Sequence, residues 1–94
     1  MRDLVTAYFT GDDVDKALQV SYCESLWDPS AYNPLSGASG LFQHLPGGWE
    51  ERAAGAGFAG ASPFDAEANT AAAAWLVYQG GGWWHWDGRC AVDG

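Results

Sequence analysis

The sequence predicts a small all-α domain with at most a small β flap. Apolar side chains recur at helical spacing in residues 13–26, and residues 66–79 contain an unbroken run of alanines, the residue with the highest helix propensity. Between these stretches, residues 28–40 are dense in serine, asparagine, proline and glycine, which is typical of turns or of a hairpin-like flap. A chain of 94 residues supports one domain, which we place at residues 1–94.

Two helices are predicted before the turn-rich segment. The first covers residues 2–9. Asp12 or Asp13 then caps a second helix, because a short acidic side chain can accept hydrogen bonds from the first free backbone N–H groups. The second helix continues to about Leu26. We expect Asp28-Pro29 to end it, since a proline pushes the residue before it out of the helical region.

Two further helices are predicted after the flap. Pro46 favours the first turn of a short helix that places Trp49 on its inner side. Residues 55–63 are rich in glycine and alanine and are predicted as a loop. Asp65 then caps the helix over residues 66–79, which a run of glycines ends.

The charge balance excludes two classes of partner. The formal net charge is −8, and the basic residues are Arg2, Lys16, Arg52 and Arg89 alone. A nucleic-acid binder needs several cations to displace counterions from phosphates, and an anionic membrane surface makes a similar demand. We therefore expect no nucleic-acid and no membrane partner. An uncharged glycan remains compatible, because aromatic and hydrogen-bonding side chains can bind it.

Nothing in the sequence indicates a secretory leader or a membrane span. Residues 1–13 lack the continuous apolar stretch of about 7–15 residues that a signal peptide requires. The longest apolar run, residues 71–78, is far shorter than the roughly 20 residues of a membrane helix. If the protein acts outside a cell, at the cell wall or in a phage virion, we expect another protein or particle to deliver it.

The two cysteines, Cys23 and Cys90, favour a disulfide between the second helix and the C-terminal tail. The alternative is a pair of free thiols in a reducing cytosol. Together with His44 and His85 the cysteines could also form a Cys2His2 zinc site, but their spacing matches no common zinc module. We therefore expect no metal and no other cofactor.

Two blocks of the sequence carry a recognisable pattern. Residues 23–49 read CESLWDPSAYNPLSGASGLFQHLPGGW, and residues 64–76 read FDAEANTAAAAWL. In order and spacing they resemble the transglycosylase family with a goose-lysozyme-like fold, most closely its short actinobacterial and actinophage forms. The positions that match the family pattern are Glu24, Ser25, Trp27, Pro29, Ser36 to Gln43, Phe64, Asp65, Asn69, Trp75 and Leu76.

The resemblance implies a lysozyme-like domain that cuts the β-1,4 bond between N-acetylmuramic acid and N-acetylglucosamine in peptidoglycan. Glu24 would protonate the glycosidic oxygen and then act as a base. Gln43 would orient the substrate or Glu24, and one of Asn33, Ser36 and Ser39 would contact an N-acetyl group. The remaining positions assigned to substrate binding are Ser25, Tyr32, Asn69 and Trp75.

The sequence departs from the family pattern at three positions. Phe42 stands where the family has methionine, Ala66 where it has proline, and Trp75 where it has tyrosine. The turn before Gly37 also varies in length among family members. The departures leave open which polar side chain of the flap would contact the substrate.

Elementary chemistry supports the same assignment for Glu24. Cleaving a glycoside requires a carboxylic acid that is still protonated near neutral pH. Glu24 lies on a mostly apolar stripe near the C-terminal end of the second helix, where burial and the helix dipole both raise the pKa of a carboxyl group. No second carboxylate is evident. A transglycosylase fits this, because the substrate's own N-acetyl or 6-hydroxyl group replaces that partner and yields a 1,6-anhydro sugar; hydrolysis by water is the alternative.

Two non-enzymatic functions compete with this hypothesis. The chain is either a glycan-binding module that keeps the fold without cleaving its ligand, or a structural domain of a phage tail. The Glu24-Ser25 pair favours the enzyme, since a binding module has no need for the acid. In each case we expect a monomer, and for the enzyme and the binding module the partner is the glycan strands of peptidoglycan.

Overall fold

In the computed structural model, which describes residues 1–90, helices make up nearly all of the regular structure. Two isolated antiparallel bridges, Tyr32 to Ser39 and Ser39 to His44, form a minimal β flap. The predicted all-α class with a small flap is confirmed. The helices are α1 (Arg2–Tyr8), α2 (Asp13–Ser25), α3 (Pro46–Gly55), α4 (Ala66–Gln79) and a 3-10 helix (Trp83–Trp86).

Helix α4 lies at the centre and contacts α1, α3 and the 3-10 helix. The alanine run Ala71–Ala74 is buried, and its small side chains allow these neighbours to approach closely. At Gly55 of α3, an added Cβ would collide with the indole ring of Trp75. The larger part of the core gathers side chains from α1, α2, the flap and the tail, including Val5, Phe9, Leu18, Leu41, Phe42 and Trp86. Within residues 1–90, none of the helices has the length and apolar character needed to cross a bilayer.

The predicted ends of α3 and α4 agree with the structure. Pro46 occupies the first turn of α3. Helix α4 covers Ala66–Gln79, and the Asp65 carboxylate accepts a hydrogen bond of 2.9 Å from the backbone N–H of Ala68. Both predictions depend on local interactions: the fixed φ angle of Pro46 favours the first turn of α3, and the side chain of Asp65 caps the first turn of α4.

The bounds of α2 agree with the prediction to within one residue, but the interactions at its two ends differ from those expected. Asp12 holds the N-cap position, but its side chain makes no capping hydrogen bond, and the Asp13 carboxylate instead accepts hydrogen bonds from side chains of the C-terminal part of the chain. The helix ends at Ser25, before Asp28-Pro29, because Leu26 and Trp27 adopt left-handed backbone conformations with φ of 54° and 61°.

Two hydrogen bonds from the Trp27 side chain explain why α2 ends at this point. The left-handed turn folds the Trp27 side chain back along α2. Its indole N–H donates to the carbonyl of Leu18 at 3.2 Å and to the hydroxyl of Ser21 at 3.1 Å. These hydrogen bonds to α2 compensate for the left-handed backbone conformation of Leu26 and Trp27, which costs about 1–2 kcal/mol per residue.

The flap is attached to α4 through one side chain. Asn69 is fully buried, and its carboxamide oxygen accepts a hydrogen bond of 2.8 Å from the backbone N–H of Phe42. Its amide nitrogen donates to the carbonyls of Ser39 at 3.0 Å and Pro63 at 2.8 Å. At Gly40, an added Cβ would collide with Asn69, so this glycine makes the close approach possible.

The predicted disulfide is present. Cys23 in the last turns of α2 is bonded to Cys90, 67 residues later, with their Cα atoms 5.8 Å apart. The bond fixes the segment after the 3-10 helix to the end of α2. The disulfide also argues against a Cys2His2 zinc site, because both sulfur atoms are bonded to each other and are not available as thiolate ligands.

Replacing Asn69 with alanine is expected to lower the free energy of unfolding by about 3 kcal/mol or more. The substitution leaves the Phe42 N–H and the Pro63 carbonyl without partners, and each such group costs about 1–3 kcal/mol; the Ser39 carbonyl loses one hydrogen bond but still accepts from the N–H of His44. Chemical denaturation measures the loss, with Asn33→Ala in the exposed flap as the matched control. Equal losses in the two variants would contradict this role for Asn69.

Replacing both cysteines with alanine is expected to lower the free energy of unfolding by about 4 kcal/mol, as the chain-entropy model gives for a loop of this length. The wild-type protein in excess dithiothreitol should unfold like the double variant. Thermal and denaturant unfolding under oxidising and reducing conditions provide the measurement. A difference below about 1 kcal/mol would show that the cross-link does not stabilise the fold.

Candidate active site

The carboxyl group of Glu24 is sheltered from solvent. Glu24 lies in the last turn of α2, and only 7% of its side chain is exposed. Its Oε2 atom lies 3.4 Å from Nη2 of Arg89 and accepts no hydrogen bond from any group in residues 1–90. The acid is therefore buried beside one cation, without the hydrogen bonds that would hold it in its ionised form.

Burial raises the pKa of Glu24 above its ordinary value of 4.5, and the Arg89 guanidinium opposes that rise. Burial is the larger of the two effects, because removing a carboxylate from water costs more than a single cation at 3.4 Å returns. The side chain thus keeps its proton to a higher pH than an exposed glutamate.

The disulfide places Arg89 beside the acid. Cys23 precedes Glu24, and Cys90 follows Arg89, so the covalent link joins the two backbone segments next to the two charges. Nη2 of Arg89 also donates to the carbonyl of His85 at 3.4 Å, and 39% of the arginine side chain remains exposed. Sequence analysis did not identify Arg89 as a site residue, although its position next to Cys90 is a usable signal.

A cavity of about 220 Å³ begins at Arg89. Flap residues form one wall, α3 contributes Arg52, and the tail contributes the rings of the 3-10 helix. The lining residues are Phe42, Gln43, His44, Leu45, Arg52, Leu76, Trp84, His85, Trp86 and Arg89. Glu24 does not line this cavity; Arg89, which lines it and lies 3.4 Å from the Glu24 carboxyl, connects the two.

His44 is the most perturbed group at the cavity. Its Nε2 donates to the carbonyl of Asn69 at 2.9 Å, since a carbonyl can only accept. Its Nδ1 therefore accepts from Nη1 of Arg52 at 3.4 Å. Burial lowers the pKa of His44 to about 4, and the neighbouring arginine cations act in the same direction. The ring is neutral near pH 7 and serves as an acceptor that orients Arg52.

Gln43, predicted to orient the substrate or Glu24, bonds to the flap. Its amide nitrogen donates to the carbonyls of Ala31 at 3.1 Å and Gly40 at 2.9 Å. The side chain also lines the cavity. It therefore contributes a wall and holds the flap together, and the structure shows no hydrogen bond between Gln43 and Glu24 within residues 1–90.

The small polar residues predicted to bind substrate bond within their own segments. The Ser25 hydroxyl donates to the carbonyl of Ser21 at 3.0 Å, so it packs within α2 and leaves Glu24 without that partner. In the flap, Asn33 accepts from the N–H of Leu35, Ser36 accepts from the N–H of Ala38, and Ser39 donates to the carbonyl of Gly37. Asn33 and Ser36 are exposed, and Ser39 is buried.

The other predicted binding residues are spread over different surfaces. Tyr32 is exposed on the flap, with its ring 6.4 Å from that of Phe64. Trp75 is half-buried between α3 and α4 and lines a shallower depression that Arg52 also borders. Asn69 is fully buried beneath the flap, where its hydrogen bonds go to the protein itself, so its role is to hold the flap. Among the tail aromatics, Trp86 is buried and Trp84 lines the cavity with 59% of its surface exposed.

Other carboxylates are poor candidates for a proton donor. Asp28 accepts hydrogen bonds from the backbone and hydroxyl of Ser30, which lower its pKa. Asp65 is occupied as the cap of α4. No cluster of metal-binding side chains occurs in the described part of the chain.

Comparison of the chain with family models, with curated proteins and with solved structures gives no match.

The stability of the protein is expected to fall as the pH drops from 6.5 to 4, with His44 contributing about 3 kcal/mol of that loss. The unfolded chain takes up a proton on this histidine near pH 6.5, whereas the folded chain does so only near pH 4. The contribution is therefore complete above pH 6.5 and lost as the pH falls through this window.

Denaturant unfolding of the wild type and of His44→Gln between pH 4 and pH 7 isolates this effect. The substitution also removes packing against Trp49, whose ring centroid is 5.1 Å away, so the pH dependence of the difference is the decisive quantity. Glu24 titrates in both proteins and cancels. Parallel pH profiles for the two proteins would contradict the assignment.

Proposed function

We propose that this protein is a peptidoglycan-cleaving glycosidase, a lytic transglycosylase or muramidase, in which Glu24 is the general acid and base. The observation that carries the proposal is the sheltered Glu24 carboxyl, which has a raised pKa and lies 3.4 Å from Arg89, a residue that lines the neighbouring cavity. The resemblance of the two sequence blocks to the transglycosylase family supports the same reaction and substrate.

The geometry suits both halves of an acid and base cycle. In the first half, protonated Glu24 donates its proton to the glycosidic oxygen as the bond to the sugar breaks. The resulting carboxylate lies 3.4 Å from the Arg89 guanidinium, which stabilises the negative charge until the next proton transfer. In the second half, Glu24 takes a proton from the attacking hydroxyl group, either the 6-hydroxyl of the same sugar or water.

The disulfide supports a site of action outside the reducing cytosol. Such bonds persist in secreted proteins, at cell surfaces and in virions. We accordingly propose that the protein works at the bacterial cell wall or as part of a phage particle, as a monomer on glycan strands.

Glu24→Gln is expected to lower the rate of fragment release from purified peptidoglycan at least about 100-fold. The amide has nearly the same shape but cannot donate and recover a proton, and general acid–base catalysis contributes about 10²–10⁴-fold. Glu50→Gln on the exposed face of α3 is the matched control and should keep wild-type activity. Mass analysis of the fragments separates 1,6-anhydro products from reducing ends.

Stability measurements distinguish a lost proton donor from a lost fold. Because the folded-state pKa of Glu24 is raised, its ionisation destabilises the protein as the pH rises through the interval above 4.5. Glu24→Gln should therefore be at least as stable as the wild type at pH 7, with less advantage at acidic pH. Full activity in Glu24→Gln would overturn the proposal, and wall binding by the wild type without fragment release would favour a non-catalytic glycan-binding module.

A further inference from the structure

Basic groups are concentrated at one cavity in an otherwise acidic protein. The chain has 4 lysines and arginines against 12 aspartates and glutamates, yet two of these four cations, Arg52 and Arg89, line the same cavity of about 220 Å³. Arg89 faces Glu24, whereas Arg52 forms no ion pair within residues 1–90. Among residues 1–90, the cavity thus presents a guanidinium without a salt-bridge partner, on which the Glu51 carboxylate acts only at longer range.

The Arg52 side chain is held in place from two sides. Neutral His44 accepts a hydrogen bond from its Nη1, and Asn69 fixes the orientation of that imidazole from the opposite side. The guanidinium lies against Gly48, where an added Cβ would come within 3.0 Å of it, so glycine provides the necessary room. Partial burial lowers the pKa of Arg52, and the nearby Arg89 cation lowers it further.

We propose that this cavity binds a free carboxylate of the peptide stem that is attached to muramic acid, with Arg52 and Arg89 as its cationic ligands. The inference rests on the proposed function, because it assigns a substrate group to the cavity beside Glu24. A guanidinium presents paired N–H donors in a plane, and this arrangement matches the two oxygens of a carboxylate.

The size and charge of the cavity favour a small carboxylate over a polyanion. At about 30 Å³ per molecule, 220 Å³ accommodates about seven waters, which is enough for the end of an acidic side chain. A phosphate polymer of the cell wall would need several further cations along its path, and the net charge of −8 would repel it. A single carboxylate on a mostly uncharged glycan carries one charge, so the net charge repels it much less than it repels a polyanion.

The exposed ring of Trp84 at the cavity provides a signal for binding. The indole N–H resonance is followed by NMR during titration with an N-acetylmuramyl dipeptide bearing free carboxylates, with the same compound amidated, and with inorganic phosphate. We expect a saturable shift with the free carboxylate and binding at least about tenfold weaker for the amide and for phosphate, as loss of a charged hydrogen bond predicts. This comparison needs no variant. Equal binding of the amide, or tighter binding of phosphate, would overturn the proposal.

Arg52→Gln should weaken binding of the free carboxylate at least about tenfold. Arg2→Gln is the matched control, because Arg2 is exposed and pairs with Asp15 on α2. In digestions, the quantity to compare is kcat/KM for glycan strands that carry peptide stems, divided by kcat/KM for strands from which the stems have been removed. Wild type and Arg2→Gln should give the same value of this ratio, and Arg52→Gln should lower it about tenfold. An unchanged ratio in Arg52→Gln would count against the site.

The two proposals fail in different ways. If the wild-type protein releases fragments from neither kind of strand but the Trp84 resonance responds to the free carboxylate, the enzymatic function is wrong and the binding site stands. If the strands are cut and the resonance does not respond, the site is wrong and the enzymatic function stands.

Discussion

The buried carboxamide of Asn69 is the interaction on which the arrangement of the site depends. It joins α4 to the flap through the N–H of Phe42 and the carbonyl of Ser39. The backbone carbonyl of the same residue fixes the tautomer of His44, and His44 in turn orients Arg52. One position in the first turns of α4 therefore sets the flap, a neutral imidazole and the direction of a cation. A carboxamide suits this position because it supplies a donor and an acceptor without bringing a charge into the core.

At Glu24 two electrostatic effects of opposite sign are balanced. Removal from water favours the neutral acid, and Arg89 favours the carboxylate. With burial alone the group would hold its proton too firmly to give it up as an acid, and in water it would ionise well below neutral pH. Arg89 moderates the effect of burial through a contact of 3.4 Å that is not a hydrogen bond. Such an intermediate environment suits the role proposed for Glu24, which requires the group to give up a proton and to regain it at the same pH.

Sequence reasoning succeeded where the determining interactions are local. Helix α4 follows from its alanine run and its Asp65 cap. The pairing of Cys23 with Cys90 is not local, and it was predictable only because the sequence has two cysteines. The end of α2 lies within one residue of its predicted place near Leu26, but its cause was not predicted, because it depends on Trp27 reaching back over the helix. The cavity was missed altogether. Its basic groups come from the flap, α3 and the tail, and only the tertiary fold brings them together.

The position of the disulfide links the redox state of the cysteines to the contact between Glu24 and Arg89. Each cysteine of the disulfide is the sequence neighbour of one charged residue: Cys23 precedes Glu24, and Cys90 follows Arg89. The covalent link and the ion pair therefore join the same two backbone segments. Where both thiols stay reduced, no covalent bond holds the guanidinium near the carboxylate. The burial of Trp86 and its hydrogen bond to the Phe42 carbonyl are then the contacts that hold this part of the tail, so oxidation adds a covalent restraint next to both charges.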